Sequence, residues 1–336
     1  MKIGNFDTAE KVLIIAEIGN NHEGDFELAK DMIEAAAEAG ADAVKFQTFE
    51  TENYVSKIDT QRFVKLKSFE LSFKQFEQLS KHAKELDLLF LSTPFDLASA
   101  NALSHFVDGI KIASGDNNFY PLIENISRYK LPTILSLGLL GIKDVKKTIN
   151  FLTKEWSDDE INECLAVLHC VCSYPVPIDE ANLLAIQHLQ QELDCTVGYS
   201  DHIIGNEAAV LSVAMGARIV EKHFTLDHNF SDFRDHQLSA DVNEMTELVQ
   251  RIRTAEVMLG QNFKKKEKCE EALTSGVRRS IIVNKNLNKG DIIKLKDLSW
   301  VRPAGGIVPG DESLILGKLL IKDLTKGDMI KEQDLE

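Results

Sequence analysis

The sequence predicts an α/β fold, a (β/α)8 TIM barrel followed by a small second domain, and three observations carry that prediction. Eight short apolar runs recur between residue 12 and residue 223. Each is followed by an amphipathic stretch at helical spacing, and strands alternating with helices imply a parallel sheet covered on both faces. Eight such units over about 250 residues match the size of one barrel. Finally, polar or ionisable residues close almost every run, at the carboxyl rim where barrel enzymes carry their chemistry.

Taken in order, residues 1–10 precede the first run and are expected to form a short strand or plug across the barrel floor. VLIIAE (12–17) ends at Glu17 and leads into the polar loop Asn20, Asn21, His22, Glu23. Residues 26–39 have apolar positions at helical spacing and stop at Gly40, a C-cap signal. In ADAVKFQ (41–47), alternation turns Lys45 and Gln47 into the lumen and Phe46 outward. LLFLST (88–93) closes at Thr93, GIKIAS (109–114) presents Lys111 and Ser114, and PTILS (132–136) closes at Ser136. LAVLHC (165–170) precedes a stiff Tyr174-Pro175-Val176-Pro177 loop over the mouth. TVGYSDH (196–202) carries Ser200 and His202, and RIVEKH (218–223) ends at His223. Residues 241–258, opened by an Asp N-cap, supply the eighth helix.

The barrel is therefore assigned to residues 1–260, a charged linker to 261–277 and a second domain to 278–336. Within that domain Lys289-Gly290-Asp291, Ile293-Lys294 and Asp297-Leu298 recur as Lys326-Gly327-Asp328, Ile330-Lys331 and Asp334-Leu335. Two copies of one turn-and-strand unit indicate internal two-fold character. A unit this small buries little surface alone, so it is expected to dock on a barrel mouth, that of a neighbouring subunit.

Composition narrows the partners. The chain has 38 Lys and Arg against 53 Asp and Glu, a net charge of −15, which disfavours nucleic acid and anionic membranes. An anionic substrate can bind only where cations are gathered, as Lys45 and Lys111 would be. The five cysteines are odd in number and lack zinc-finger spacing, and the N-terminus lacks a signal-peptide pattern, so a cytoplasmic location is expected.

At the rim, His202 and His223 close neighbouring strands. Strands lie roughly 4.8 Å apart, so the two imidazoles can share one divalent ion, with Glu17, Asp201 and Asp235 as candidate carboxylates. Such a donor set suits manganese, zinc, cobalt or iron, and two histidines hydrogen-bonded to acids would read the same way. Lys45 and Lys111, with Thr93, Ser114 and Ser136 near them, read as a phosphate or carboxylate cradle; lysines paired to acids are the alternative. Glu17 reads as a general acid–base group or as a ligand for sugar hydroxyls, and a salt bridge to Lys45 is compatible with either role.

The segments IIAEIGNNHEGDFELAK (14–30), GADAVKFQTF (40–49), STPFD (92–96), KIASGD (111–116), LHCVCSYPVP (168–177), GYSDH (198–202) and EKHFTLD (221–227) together resemble the sialic acid (N-acetylneuraminate) synthase family, the phosphoenolpyruvate-dependent nonulosonate synthases. RRSIIV (278–283), VRPAGGI (301–307) and LGKLL (316–320) resemble the antifreeze-like (SAF, β-clip) domain fused to such enzymes. The resemblance implies a transferase that condenses phosphoenolpyruvate with the open-chain aldehyde of N-acetylmannosamine or a related 2-acetamido sugar, releasing phosphate. It implies a divalent metal on His202 and His223, usually manganese, with magnesium and cobalt as alternatives. Lys45, Thr93, Lys111, Ser114, Ser136 and Ser200 would hold phosphoenolpyruvate; Glu17, Gln47 and Tyr174 would contact the sugar or the reacting carbons. Glu17 is the first choice for proton handling and Asp235 the second. Arg302 would reach the partner's barrel in a domain-swapped homodimer.

Two departures bear on specificity: Cys172 stands where many members have asparagine, and SDFRDH (231–236) replaces a shorter Gly-Pro-Asp-His turn. A legionaminic or pseudaminic acid synthase, acting on a 6-deoxy diacetamido sugar, stays open as an alternative. So does a metal-dependent sugar deacetylase or hydrolase, which would use the histidines without the cradle.

Overall fold

The computed structural model describes residues 1–336 and divides into two units, Met1–Gly260 and Gln261–Glu336. The first opens with an antiparallel hairpin of β1 (Lys2–Ile3) and β2 (Phe6–Asp7). Eight parallel strands follow: β3 (Leu13–Gly19), β4 (Ala43–Thr48), β5 (Leu89–Pro94), β6 (Gly109–Ile112), β7 (Thr133–Ser136), β8 (Leu165–Cys170), β9 (Thr196–Asp201) and β10 (Ile219–His223). They pair in sequence order, and β10 returns to β3 to close the barrel.

Strand alternation sorts the side chains into two cores. Val12, Ile14, Ala16, Val44, Phe46 and Phe90 face the surrounding helices, where Phe46 stacks on Phe90 with ring centroids 5.4 Å apart. Leu13, Ile15, Ala43, Leu89, Leu91, Ile134, Ala166, Leu168 and Ile219 fill the barrel interior. Ile3, fully buried, joins this inner cluster from the hairpin. The N-terminal segment therefore stoppers the barrel, as expected. Each of the Val, Leu, Ile and Phe side chains contributes about 1.5–3 kcal/mol on burial. Because the inner positions near the strand starts are apolar and those near the strand ends polar, the barrel is filled at one end and hollow at the other.

Caps set the helix limits. Asp25 accepts from the backbone amides of Glu27 and Leu28 to start Phe26–Glu38, and Gly40 beyond its end adopts φ +83°. Asp241 and Glu244 form a reciprocal capping box at the start of Val242–Leu259. No helix is long and apolar enough to cross a membrane.

The second unit centres on an antiparallel pair, β11 (Ser280–Val283) and β12 (Leu298–Val301), around a core that includes Ile281, Val283, Ile293, Leu298, Ile307, Ile315, Leu320 and Ile330. The repeat seen in the sequence is physical: Lys285–Asp297 and Lys322–Asp334 make matching ion pairs at 2.7 Å. Each copy also has a one-turn 3-10 helix, Leu295–Asp297 and Glu332–Asp334. The stretch 261–277 is more structured than a charged linker. It belongs to this unit and contains the helix Glu271–Val277, whose Ser275 carbonyl accepts from the Ala304 amide at 2.8 Å.

Candidate active site

The hollow end of the barrel is a cavity of about 500 Å³. Inward positions of the strands build it: Glu17 from β3, Lys45 and Gln47 from β4, Thr93 from β5, Lys111 from β6, Ser136 from β7, Cys170 from β8, Ser200 from β9, and Glu221 and His223 from β10. Ser114, Tyr174, His202 and Asp235 complete it from the loops that follow the strands. Apart from Asp201, the site residues singled out in the barrel sequence thus meet in one place. Arg302 lies in the second unit, just beyond β12, beside Lys266, Glu270 and Arg278.

Four buried charges dominate the floor. Lys45 Nζ stands 2.9 Å from Glu17 Oε2 and 3.8 Å from Glu221 Oε2, while Lys111 Nζ stands 3.4 Å from Glu221 Oε1. Lys45 also donates to Thr93 Oγ1 at 3.1 Å, Gln47 Nε2 to Glu17 Oε1 at 3.1 Å, and Ser200 Oγ to Glu221 Oε1 at 2.9 Å. The two lysines are balanced by two carboxylates, so the salt-bridge reading of Lys45 holds, at an ammonium group that also lines the cavity. Burial raises the Glu17 carboxyl above the ordinary range; Lys45 pulls it back and Glu221 pushes it further up. Burial works against charge on Lys45, but Glu17 and Glu221 outweigh it and raise its pKa. Lys111 has only the longer contact to Glu221, and for it burial wins and lowers the pKa. Burial also opposes charge on Glu221, yet Lys111 and Lys45 hold its carboxyl well down. The Ser136 hydroxyl is buried and has no partner, a donor left for a ligand.

The imidazoles of His202 and His223 lie with centroids 5.3 Å apart. Burial, then mutual repulsion, lowers His202 to about 4; burial, then Lys45, lowers His223 to about 3. Both are neutral at physiological pH, as metal ligation requires. His202 Nδ1 lies 2.9 Å from the Val171 carbonyl, which only an N–H can satisfy, so Nε2 keeps its lone pair. The donor chemistry therefore fits a divalent ion. A separate grouping, His228 with Asp241 and Glu244, lies outside the cavity. There both carboxylates are engaged in capping the helix Val242–Leu259.

One rim expectation fails. Asp201 does not face the cavity: it sits at an outward strand position, 2.9 Å from Lys222 Nζ and bonded by the Tyr199 hydroxyl. A period of two puts Ser200 and His202 inside and Asp201 outside. Of the Asp235–His236 pair only Asp235 faces in, its carboxyl raised by burial with Arg234 opposing. His236 is locked between Thr225 Oγ1 at 2.7 Å and Glu23 Oε1 at 3.1 Å. Tyr174 packs on His202 at 4.1 Å and carries the Arg234 guanidinium over its ring at 5.7 Å.

Glu221 was missed, although alternation marks it, two residues before His223 on the same face. Asp116, lifted to about 6 by burial, follows Ser114 in a 3-10 turn. Arg62 and Tyr54 come from the long β4–β5 connection, with Arg62 donating to the Tyr54 hydroxyl at 3.3 Å. No periodicity in that connection announces them.

Residues 32–264 match the NeuB family and residues 278–336 the SAF domain. The chain is 39% identical over 337 residues to the N,N'-diacetyllegionaminic acid synthase of Legionella pneumophila, covering 96% of this chain and 94% of that protein. It is 36% identical over 337 residues to the N,N'-diacetyllegionaminic acid synthase of Campylobacter jejuni, covering 96% of this chain and 100% of that one. Among solved structures, the N-acetylneuraminic acid synthetase of Leptospira borgpetersenii in complex with citrate matches with a TM-score of 0.75 and 34% identity. That match covers 81% of this chain and 94% of the other.

Proposed function

The chain belongs to the NeuB family, and from that premise we propose that it is a nonulosonic acid synthase, condensing phosphoenolpyruvate with the open-chain aldehyde of N-acetylmannosamine or a related 2-acetamido sugar. The observation that carries this reading is a single cavity holding two buried ammonium groups, an unpartnered hydroxyl and a neutral histidine pair. A hydrolase would need the histidines but not the cradle.

Lys45, Lys111, Thr93, Ser114, Ser136 and Ser200 hold the phosphate and carboxylate of phosphoenolpyruvate. Its carbon 3 attacks the aldehyde carbon, held in line by Gln47 and Tyr174. Such positioning contributes on the order of 7–11 kcal/mol. Water then adds at carbon 2 and phosphate departs, leaving a 2-keto-3-deoxy acid. Glu17, whose carboxyl burial raises above the ordinary range, handles the protons of the water and the new hydroxyl. Asp235 is the second candidate. His202 and His223 would hold a divalent ion, manganese first, with magnesium or cobalt as alternatives, supplying Lewis-acid polarisation of the aldehyde oxygen. The lysines neutralise the charge that gathers on the leaving phosphate.

Arg302 is read as the residue that a domain-swapped partner contributes to the sugar end. The five free cysteines suit a reducing cytoplasm. A second reading, a 6-deoxy diacetamido acceptor, is favoured by the two legionaminic acid synthase relatives and by the stacked Tyr54–Phe95 pair, 4.4 Å apart, which adds apolar surface at the cavity.

Phosphate release tests the proposal, assayed with phosphoenolpyruvate and a panel of N-acetylmannosamine, its phosphate ester and 6-deoxy diacetamido sugars. Release that requires both substrates is expected. Release from phosphoenolpyruvate alone, or acetate release without it, would overturn the synthase reading.

A further inference from the structure

Two thiols stand in the cavity without a part in the chemistry above. Cys170 closes β8 and is buried; Cys172 follows it, half-buried, and both line the cavity. Two residues of chain span at most about 7 Å, so the backbone alone holds their Cα atoms near the 4.4–6.8 Å range of a disulfide. Past β8 the chain leaves the sheet: the Ser173 amide donates to the Val171 carbonyl at 3.0 Å, a three-residue turn centred on Cys172. Cys172 Sγ and Ser114 Oγ converge on the same space beside Gly138.

Gly138 makes room for this group. A Cβ there would stand 2.9 Å from Cys172 Sγ and 2.7 Å from Ser114 Oγ. Two thiols, Cys172 the more exposed, are thus placed two residues apart on the wall of a cavity of about 500 Å³ that a small oxidant can enter.

We propose that Cys170 and Cys172 are an oxidation site, which a peroxide converts to an intramolecular disulfide inside the substrate cavity. The Cys172 thiolate attacks one peroxide oxygen, the O–O bond breaks, and a sulfenic acid forms as the other oxygen leaves as water after protonation. Cys170 sulfur then attacks the sulfenic sulfur, releasing its proton and a second water. Two thiols and one hydrogen peroxide give one disulfide and two waters. Cys170 Sγ lies 3.8 Å from His202 Nδ1, and Cys172 Sγ crowds the same space beside Gly138 as Ser114 Oγ, so the cross-link disturbs both the histidine pair and the cradle. The chemical step stands independently of the synthase reading; only its effect on turnover rests on that reading.

The full-length protein is treated with hydrogen peroxide, and free thiols and the mass of the peptide spanning both residues are measured. The expected result is a fall of two free thiols, loss of two hydrogens from that peptide, and full reversal by dithiothreitol. Cys170→Ser should leave a sulfenic acid on Cys172 that dimedone traps, while the unsubstituted protein resists trapping. Sulfinic acid at Cys172 beside a free Cys170, or oxidation of the exposed Cys269 ahead of the pair, would overturn the site. Turnover should fall in step with cross-linking and return with the reductant. Cross-linking with turnover unchanged would overturn control of the enzyme, whereas absence of any synthase turnover before oxidation would count against the proposed function alone.

Discussion

Removing the Glu221 carboxylate tests the electrostatics of the cavity directly. Glu221→Gln keeps the shape and the Ser200 contact but deletes the charge 3.4 Å from Lys111 and 3.8 Å from Lys45. At an effective dielectric of about 20 each contact is worth roughly 4–5 kcal/mol of gross attraction. The carboxylate's own desolvation offsets much of that, and taking one member from a buried ion set costs about 3–5 kcal/mol net. For a domain of this size the melting temperature should fall on the order of 10 °C. Lys45 keeps Glu17 at 2.9 Å, so most of the loss falls on Lys111, which has no other ion-pair partner.

A bound anion should reverse that loss. In the wild type, phosphate competes with Glu221 for the lysines; in the variant it supplies the missing counter-charge. Scanning calorimetry with and without inorganic phosphate reads the difference. At a hundred times its Kd a ligand adds about 2.7 kcal/mol, so the phosphate-induced shift should be larger in Glu221→Gln than in the wild type at equal phosphate. An unchanged melting temperature, or a smaller phosphate shift in the variant, would refute the assignment of these lysines to an anion.

Other substitutions separate the parts of the site. His202→Ala and His223→Ala should each cut turnover by more than ~100-fold, beyond what loss of a supporting residue costs; unchanged turnover in chelator-treated buffer would remove the metal role. Asp116 ionises near pH 6, being neutral below and negative above, so the KM for phosphoenolpyruvate should rise through that pH. Asp116→Asn should lose this component, and parallel profiles for the two proteins would refute it. Gly138→Ala drives a methyl against Ser114 Oγ and Cys172 Sγ, costing about 1–3 kcal/mol by overpacking. It should raise the KM for phosphoenolpyruvate but not for the sugar, which steady-state kinetics would show. Arg302→Ala should weaken the sugar more than phosphoenolpyruvate; equal losses would argue against a partner-supplied arginine.

The barrel was legible because its strands are buried on both faces: apolar runs such as Leu13–Ala16 leave no other periodicity to read, and the polar residue ending each run marks the rim. Lys45 and Gln47 pointing inward followed from the same rule. Applied consistently, that rule would also have turned Asp201 outward and brought Glu221 in beside His223. Charge was harder to read than position. The Lys45–Glu17 pair was one of the readings the sequence offered, whereas Glu221, which faces both lysines, was not among them. Glu17 comes from β3, paired in register with Lys45 on β4, whereas Glu221 lies on β10, 110 residues after Lys111 in the chain, and only barrel closure brings it to the lysines.

The cavity therefore divides by origin. Lys45, Thr93, Lys111, Ser136 and Ser200 sit on strands whose register fixes them: β3 pairs Glu17 with Lys45, and β4 pairs Gln47 with Thr93. A one-residue slip there would turn every inward group outward, so this end tolerates little change. The opposite is true of Arg62, Tyr54, Tyr174, Arg234 and Asp235, carried by connections between strands, where insertions cost little. The segment 231–236 gains a residue without disturbing β10, because Phe224 and Ala240 bridge on either side of it. Acceptor choice should thus be transferable by exchanging these connections while phosphoenolpyruvate kinetics stay within a few fold. A loop exchange that alters phosphoenolpyruvate binding as strongly as sugar binding would mean that the two halves are not separable.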